Sequence, residues 1–262
     1  MHDLKEYSLA EFLAEQSTNH KSGLPYVHST EAANVWEILK KGHIEVTACD
    51  TFTGENLAYF FYGRPAYRKL HIAPQDWQLP LVFVMKNTCL MSVRRVFPFD
   101  SGAFHSNRLP DYLSRFDHSG YEVSNQKDAI DLLVDIFFGG DDEYFHGDAK
   151  PRKEVARRNG LTMRHAQVQA LCALYNREQL TADDRALAIE IQTDENVALK
   201  DNLYGVVLPR PFFDVKELRD YFKERKVIVK HYDVYPINAG GYIAAVYNEV
   251  KSIYKRMKVI NG

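Results

Sequence analysis

Helical spacing of apolar residues is the first pattern visible along the chain. Near the N-terminus, Leu9, Phe12 and Leu13 fall on one helical face, which predicts a short helix within residues 1–20. Thr30 is the expected cap of a second helix, which Gly42 ends. The same spacing predicts helices over 31–41, around 130–138 and 168–175, over about 214–225, and around 246–254.

Strand-like runs alternate with these helices. In the run 185–192, Leu187, Ile189 and Ile191 alternate with Glu190 and Gln192, a pattern typical of a half-buried strand whose polar residues face solvent. Proline at position 65 predicts the start of a further helix. Short apolar runs bounded by turn residues predict the other strands at 24–30, 44–47, 57–62, 81–86, 203–208 and 227–233.

The order of these elements predicts an α+β fold. A strand, a helix and further strands come first, a helical region follows, and strands with one more helix close the chain, without a regular βαβ alternation. We therefore expect a single domain over 1–262, with a core at about 24–90 and 185–233, a largely helical insert at about 91–184, and a C-terminal helix. The sequence contains neither of the common glycine-rich phosphate loops.

Composition narrows the classes of protein. The chain has 262 residues, of which 45% are hydrophobic and 26% charged, and this balance is typical of a globular protein. A net charge of −2 does not favour bulk attraction to nucleic acid. The most basic run, 150–158, is better explained as a solvated helix face than as a nucleic-acid contact. No stretch approaches 18 apolar residues, so no membrane interaction is expected.

Three widely spaced cysteines, Cys49, Cys89 and Cys172, form neither a zinc pattern nor a disulfide framework. They fit a reducing compartment, and we expect a cytoplasmic location. The N-terminus carries acids at Asp3 and Glu6 and has no long apolar core, so a signal peptide is not expected.

Three segments carry residues suited to chemistry. The first is 26–30, a strand end with His28, Ser29 and Thr30 just before a helix. The second is 57–68, LAYFFYGRPAYR, with five aromatic residues and two arginines around a Gly-Pro turn. The third is the strand around Glu190. Each segment alone has an ordinary structural explanation, namely a strand end, a piece of core and the solvent face of a strand.

Taken together and in this order, the three segments resemble the His–Tyr–Glu pattern of ADP-ribosyltransferases. The likeness is to the DarT-type toxins that modify nucleic acid and to their diverged relatives in phage defence. His28-Ser29-Thr30, helix 31–41 and Gly42 match the strand end, helix and glycine of that family. Residues 59–68 match its aromatic strand and arginine-containing turn, and Glu190 with the strand 203–208 matches its final part. The resemblance covers about 24–90 and 185–210.

The resemblance implies an ADP-ribosyltransferase-like split sheet and a use of NAD as substrate. Glu190 is expected to be the catalytic acid, with Glu195 as the alternative. The implied catalytic residues also include His28, on a ribose hydroxyl, and Tyr59, which stacks on the nicotinamide; Phe60 and Tyr62 are alternatives to Tyr59. The residues implied to bind NAD are His28, Ser29, Thr30, Tyr62, Arg64, Tyr67 and Arg68.

The acceptor implied by the resemblance is a base in RNA or DNA, with protein side chains and water as alternatives. Aromatic residues and arginines of the insert could hold a single strand, namely Phe97, Phe99, Phe104, Arg108 and Arg115. A toxin of this kind is expected to have an antitoxin protein as partner. Two other classes stay open: a non-catalytic interaction module, and a metal-dependent nuclease or hydrolase built on the acidic run 141–148.

Overall fold

A computed structural model describes residues 5–67, 71–176 and 184–261. The strands of these residues are β1 (Tyr26–Glu31), β2 (His43–Ile44), β3 (Thr47–Ala48), β4 (Asn56–Tyr62), β5 (Pro80–Met85), β6 (Arg95–Phe97), β7 (Glu190–Thr193), β8 (Val197–Ala198), β9 (Leu203–Pro209) and β10 (Ile228–Tyr232). The helices are α1 (Leu9–Ala14), α2 (Val35–Lys41), α3 (Ser101–His105), α4 (Ala129–Phe137), α5 (Asp141–His146), α6 (Arg152–Arg158), α7 (Ala166–Tyr175), α8 (Arg210–Phe213), α9 (Lys216–Glu224) and α10 (Ile243–Met257). The predicted α+β class is confirmed.

The predicted helices lie close to where the apolar spacing put them. In α1 the three apolar residues Leu9, Phe12 and Leu13 are all buried, and Ser8 caps the helix with a hydrogen bond from the N–H of Glu11. Helix α2 ends at Gly42, whose φ of 73° is the left-handed conformation that glycine adopts without strain. The spacing of apolar residues is local information, so it predicts these helices well.

The predicted cap at Thr30 is wrong. Strand β1 continues through Glu31, and a 3-10 turn over Ala32–Asn34 precedes α2. The Thr30 hydroxyl instead accepts a hydrogen bond from Asn34 Nδ2 at 2.8 Å. Thr30 therefore belongs to the strand, and its side chain does not cap the first turn of the helix.

The helix predicted to begin at Pro65 is absent from residues 65–67, which are described as irregular chain. Gly63 has a φ of 62°, and the backbone N–H groups of Arg64 and Ala66 donate to carbonyls only two residues back, of Tyr62 and Arg64. Such tight turns take up the N–H groups at the point where a helix would have to start.

The strand predicted over 185–192 is confirmed only from Glu190 onward, and its half-buried character is wrong. Residues 184–187 form a 3-10 turn, and β7 begins at Glu190. Both faces of the run are buried, since Ile189 and Ile191 have no exposed surface and Glu190 is only 1% exposed. The alternation of polar and apolar residues therefore marks buried hydrogen-bonding groups rather than a solvent face.

Contacts between Cα atoms divide the chain into two compact units. Unit 1 comprises residues 1–23 and 93–191, and unit 2 comprises 24–92 and 192–262. Unit 1 is mostly helical, and the apolar faces of α1, α4 and α7 are buried in it together with aromatic side chains of the region before α4. Fully buried members of this core include Phe12, Phe99, Tyr121, Leu133, Val168 and Leu171.

Unit 2 contains a mixed sheet in the order β10-β9-β5-β1-β4. Strand β1 runs antiparallel to β5, with His28 opposite Phe83, and antiparallel to β4, with Val27 opposite Phe61. Strand β9 runs antiparallel to β5 and parallel to β10. Strand β3 pairs with β4, and β2 with β8 forms a separate two-stranded sheet. Because alternate residues of a strand face opposite sides, this register sorts the candidate residues into two groups.

Helix α10 packs against one face of this sheet. Its Ile253 lies so close to Gly205 of β9 that a Cβ atom added to the glycine would be 3.0 Å from Ile253 Cδ1. Gly205 pairs with Val84, so the α10 face is also the face of Val84. In the part of the chain that the structure describes, no helix is long and apolar enough to cross a membrane.

Candidate functional site

His28 lies in the middle of β1, on the face opposite α10. Its ring lies 5.5 Å from that of Phe60 and 6.4 Å from that of Phe83, measured between centroids. The Nδ1 atom is 2.9 Å from the backbone carbonyl oxygen of Tyr59. A carbonyl oxygen only accepts hydrogen bonds, so Nδ1 carries the proton and the neutral ring presents Nε2 as an acceptor. Among the described residues, Nε2 has no hydrogen-bond partner.

The surroundings of His28 favour this neutral form. The residue is half-buried, and burial lowers the pKa of the imidazole below its usual value; the bond to the Tyr59 carbonyl acts in the opposite direction and is the smaller effect. The buried aromatic rings of Phe60 and Phe83 lie beside the imidazole. At neutral pH the site therefore offers one fixed, uncharged hydrogen-bond acceptor beside an aromatic surface.

Tyr59 does not share this face. The register of β1 with β4 puts Phe60 and Tyr62 on the side of His28, and Tyr59 and Phe61 on the opposite side. The Tyr59 hydroxyl lies 2.7 Å from Cys49 Sγ, within hydrogen-bond reach. What joins His28 and Tyr59 is thus a bond to the backbone of Tyr59, and the two side chains point away from each other.

Tyr62 lies on the His28 face but is 1% exposed. Its hydroxyl accepts a hydrogen bond from the N–H of Leu24 at 3.0 Å, and its ring meets that of Tyr26 edge-on at 6.5 Å. The Tyr62 side chain is therefore held in place by the segment that leads into β1. In this conformation the Tyr62 ring is buried next to the site and is not exposed for a ligand to stack on.

Ser29 and Thr30 divide between the two faces in the same way. Thr30 shares the His28 face, and its hydroxyl accepts from Asn34. Ser29 lies opposite Val82 on the α10 face, and its buried hydroxyl oxygen has no hydrogen-bond partner among the described residues. Of these two hydroxyls, the structure brings that of Thr30 to the side of the sheet where His28 lies.

The turn after β4 holds the remaining predicted NAD contacts. Arg64 is 5% exposed, and its guanidinium carbon lies 5.1 Å from the centre of the Tyr247 ring. Tyr67 is 3% exposed and donates its hydroxyl proton to the carbonyl of Gln78 at 2.8 Å, while burial raises its pKa. The Tyr254 hydroxyl donates to the Gly63 carbonyl at 2.8 Å and so fastens the turn to α10. Arg68 lies outside the described residues.

Glu190 lies at the start of β7 in unit 1. Ser101 donates to both of its carboxylate oxygens: the hydroxyl to Oε1 at 2.7 Å and the backbone N–H to Oε2 at 3.1 Å. Ser101 has no exposed surface. A buried carboxylate is costly unless its oxygens are hydrogen-bonded, and this pair of bonds meets that requirement. The predicted alternative, Glu195, is exposed and belongs to unit 2.

Two further buried polar residues support Ser101. Asp100 caps α3, because its Oδ1 accepts a hydrogen bond from the N–H of Ala103 at 2.6 Å. Its Oδ2 lies 3.9 Å from Nη1 of Arg185, and its N–H donates to the Arg185 carbonyl at 3.2 Å. We call Asp100, Ser101, Arg185 and Glu190 the acid cluster. All four residues are at most 5% exposed.

Three members of the acid cluster were not predicted. An aspartate followed by a serine is a common signal for the start of a helix, so the cap at Asp100 could have been read from the sequence. The contact from Ser101 to Glu190 could not, because 89 residues separate them in the chain. Arg185 was treated as the edge of a strand, and nothing in its local sequence indicates a buried ion pair.

The insert residues expected to bind single-stranded nucleic acid fall into two groups. Phe97 and Phe99 are buried, at 1% and 0% exposed, so their rings belong to the core of unit 1. Phe104 is half-buried, and Arg108 and Arg115 are exposed. Most of the basic run 150–158 forms α6, in which Arg158 pairs with Glu154 at 2.8 Å, as expected of a solvated helix face.

The acidic run 141–148 forms α5 and is engaged with the N-terminal segment of unit 1. Asp141 accepts a hydrogen bond from the N–H of Gly23 at 2.8 Å and lies 3.3 Å from His20 Nε2. In the described ranges, no three His, Cys, Asp or Glu side chains come together in a way that could hold a metal ion. The alternative of a metal-dependent nuclease therefore gains no support from these residues.

Comparison with known proteins returned no similarity: no protein-family profile, curated protein or solved structure matches this chain.

Proposed function

We propose that the protein has an ADP-ribosyltransferase-like core, cleaves the bond between nicotinamide and ribose in NAD, and transfers the ADP-ribose to a base in DNA or RNA. The observation that carries the proposal is the state of His28. Its Nδ1–H is bound to the Tyr59 carbonyl, its Nε2 is an available acceptor, and Phe60 lies beside the ring. A ribose hydroxyl needs such an acceptor, and an apolar wall suits the flat nicotinamide ring.

The chemistry of the reaction explains the role proposed for Glu190. When nicotinamide leaves with the bonding electron pair, positive charge develops on the ribose, and a carboxylate stabilises that charge. The acceptor atom then forms a bond to the ribose carbon and gives up a proton, which Glu190 can take as general base. Because Ser101 contacts both oxygens of Glu190, the carboxylate is already oriented before any substrate binds.

Other candidate residues take supporting roles in this proposal. Thr30 shares the His28 face and is proposed to contact a ribose or phosphate, whereas the buried Ser29 hydroxyl lies on the α10 face and is left out of the proposed site. Arg64 and Arg68 are candidates for the diphosphate, because a guanidinium binds phosphate oxygens in pairs. Phe60 is the candidate for the wall of the nicotinamide site, because the ring of Tyr59 lies on the opposite face of the sheet. Tyr62 and Tyr67 are buried and hydrogen-bonded through their hydroxyls, so they are candidates only for supporting that wall. As a transferase of this kind, the protein would act as a toxin controlled by an antitoxin partner.

The proposal is tested by release of nicotinamide from NAD, measured for the wild type, Glu190→Gln and Glu195→Gln. We expect the wild type to release nicotinamide and Glu190→Gln to be slower by about 100-fold or more, since a general base alone contributes about that much. Glu195→Gln is the matched control, because Glu195 is exposed and its loss should leave the rate near that of the wild type.

Three results would count against this assignment. Absence of release by the folded wild type would contradict the proposed activity. Equal rates for the wild type and Glu190→Gln would remove Glu190 from the mechanism. Loss of activity in Glu195→Gln alone would transfer the acid role to Glu195. Circular dichroism of each variant establishes that the proteins compared are folded.

A further inference from the structure

In the acid cluster, Ser101 is a double hydrogen-bond donor to the carboxylate of Glu190. Ser101 contributes two donors to Glu190, one from its hydroxyl at 2.7 Å and one from its backbone N–H at 3.1 Å. Each donor contacts a different oxygen, so rotation of the carboxylate would break at least one bond. Two hydrogen bonds from a single neighbour therefore fix the plane of the carboxylate as well as its position.

The backbone next to Ser101 is held by further hydrogen bonds. Its neighbour Asp100 caps α3 through the N–H of Ala103, and the backbone of Asp100 is bound to the carbonyl of Arg185. Arg185 and Asp100 also face each other as a buried ion pair at 3.9 Å. Since Arg185 lies only five residues before Glu190, the cluster ties the start of α3 to the segment that leads into β7.

We propose that Ser101 is a positioning residue for the reaction: it holds Glu190 ionised and in the orientation required to stabilise the charged ribose and to accept the proton of the incoming nucleophile. This inference rests on the proposed function, in which Glu190 acts on NAD. A hydroxyl donor bound to a carboxylate favours the ionised form, and removing the donor favours protonation. Ser101 does not contact the substrate and acts through Glu190.

The test uses two substitutions of Ser101 in the full chain. Ser101→Ala removes the hydroxyl donor, and Ser101→Cys fills similar space with a much weaker donor. Both keep the backbone N–H. Ser114→Ala is the matched control, because Ser114 is exposed in the same unit and its hydroxyl donates to the carbonyl of Asp111. Steady-state rates of nicotinamide release are measured for each protein from pH 5 to pH 9.

We expect kcat to fall about 10- to 100-fold in Ser101→Ala, the range that corresponds to loss of a hydrogen bond to a charged group. The KM for NAD should change little, because Ser101 does not bind it. The acid limb of the pH–rate profile should move to higher pH, since a carboxyl group that loses a hydrogen-bond donor is protonated more easily. Ser101→Cys should shift the profile in the same direction, and Ser114→Ala should match the wild type.

A second readout does not depend on turnover. In protein labelled with ¹³C at the glutamate carboxyl, the Glu190 signal is assigned by its loss in Glu190→Gln and is titrated in the wild type and both Ser101 variants. We expect its midpoint to rise in Ser101→Ala and in Ser101→Cys. If the wild type releases no nicotinamide, the proposed function fails, while this titration still decides whether Ser101 holds Glu190 in the ionised form.

The inference is overturned by an unchanged kcat and pH profile in a folded Ser101→Ala or Ser101→Cys protein. It is equally overturned by a fall in kcat with no movement of the acid limb and no change in the titration midpoint, because that pattern reports a general loss of structure.

Discussion

The imidazole of His28 donates a hydrogen bond from Nδ1 to the backbone carbonyl of Tyr59 at 2.9 Å, while the two side chains lie on opposite faces of the sheet. The bond sets the tautomer of His28, because a carbonyl oxygen cannot donate. It also means that Tyr59 contributes its backbone, rather than its ring, to the surroundings of His28. The face of β1 that we propose to bind NAD is therefore defined by His28 with Phe60 and Phe83.

Substitutions of His28 can separate the donor role of Nδ1, towards the Tyr59 carbonyl, from the acceptor role proposed for Nε2. Asparagine can keep the donor to the Tyr59 carbonyl but has no acceptor at the position of Nε2, whereas the longer glutamine places an amide near that position. We expect His28→Asn to lower kcat/KM for NAD by about 10- to 100-fold, the range for loss of a hydrogen bond in a buried site, and His28→Gln to lower it less. Nicotinamide release by the two folded variants provides the measurement.

Equal losses in His28→Asn and His28→Gln would show that the Nε2 acceptor is not the feature that matters. A wild-type rate in His28→Asn would remove His28 from NAD binding altogether.

Stability of unit 1 is expected to depend on pH through His118. Burial lowers the pKa of His118 to about 4, and repulsion from His105 and Arg95 adds to this, while Asp117 opposes it. The unfolded chain protonates this histidine near its ordinary pKa of about 6.5. Since the unfolded state then binds more protons than the folded state, the free energy of unfolding should fall as the pH decreases from about 6.5 towards 4.

Urea unfolding at several pH values measures this effect. His118→Phe keeps the stacking against Phe97, whose ring lies 4.3 Å away, and removes the titrating group. We expect the variant to lose less stability than the wild type between pH 6.5 and pH 4.5. The difference should be on the order of 1 kcal/mol, discounted for the partial exposure of the ring. Identical pH dependence in both proteins would show that His118 is accessible to protons in the folded state.

The sheet of unit 2 should be sensitive to substitution at Gly205. An added Cβ atom would lie 3.0 Å from Ile253 Cδ1 and 3.1 Å from the Ile228 carbonyl oxygen, both tighter than ordinary contacts. We expect Gly205→Ala to lower the free energy of unfolding by about 1–2 kcal/mol, as overpacking of a core does. Thermal or urea unfolding measures the change.

The same substitution is also made in the Ile253→Val protein. Valine lacks the Cδ1 atom, which is the nearer of the two obstructing atoms. The cost of Gly205→Ala should be smaller in Ile253→Val than in the wild type, although the carbonyl of Ile228 still limits the relief. If the cost is the same in both backgrounds, α10 does not pack on β9 as described.

The sequence predicted the parts of the fold that local spacing determines. Helix α1 and the stop of α2 at Gly42 follow from apolar periodicity and from the conformational freedom of one glycine. The α+β class follows from the order of the elements. The start of α2 was misplaced because pairing of β1 with β5, a contact between distant segments, extends the strand through Glu31.

The candidate site was harder to predict because it also depends on contacts between distant segments of the chain. Alternation suggested a solvent-facing Glu190, but burial of a strand on both faces depends on what packs against it, which periodicity does not encode. The donor that compensates Glu190 is Ser101, far away in the chain. Which aromatic residue of β4 shares the His28 face depends on the register of β4 with β1, and that register places Phe60 and Tyr62 there instead of Tyr59.

Transfer of labelled ADP-ribose tests the proposed activity and its acceptor together. Purified wild-type protein and Glu190→Gln are incubated with NAD labelled in the adenine moiety, separately with single-stranded and double-stranded DNA, RNA and lysate protein. We expect label to become covalently attached to DNA or RNA with the wild type and not with Glu190→Gln. Label on protein alone would overturn the proposed acceptor, and folded wild-type protein that labels no polymer would contradict the proposed transferase.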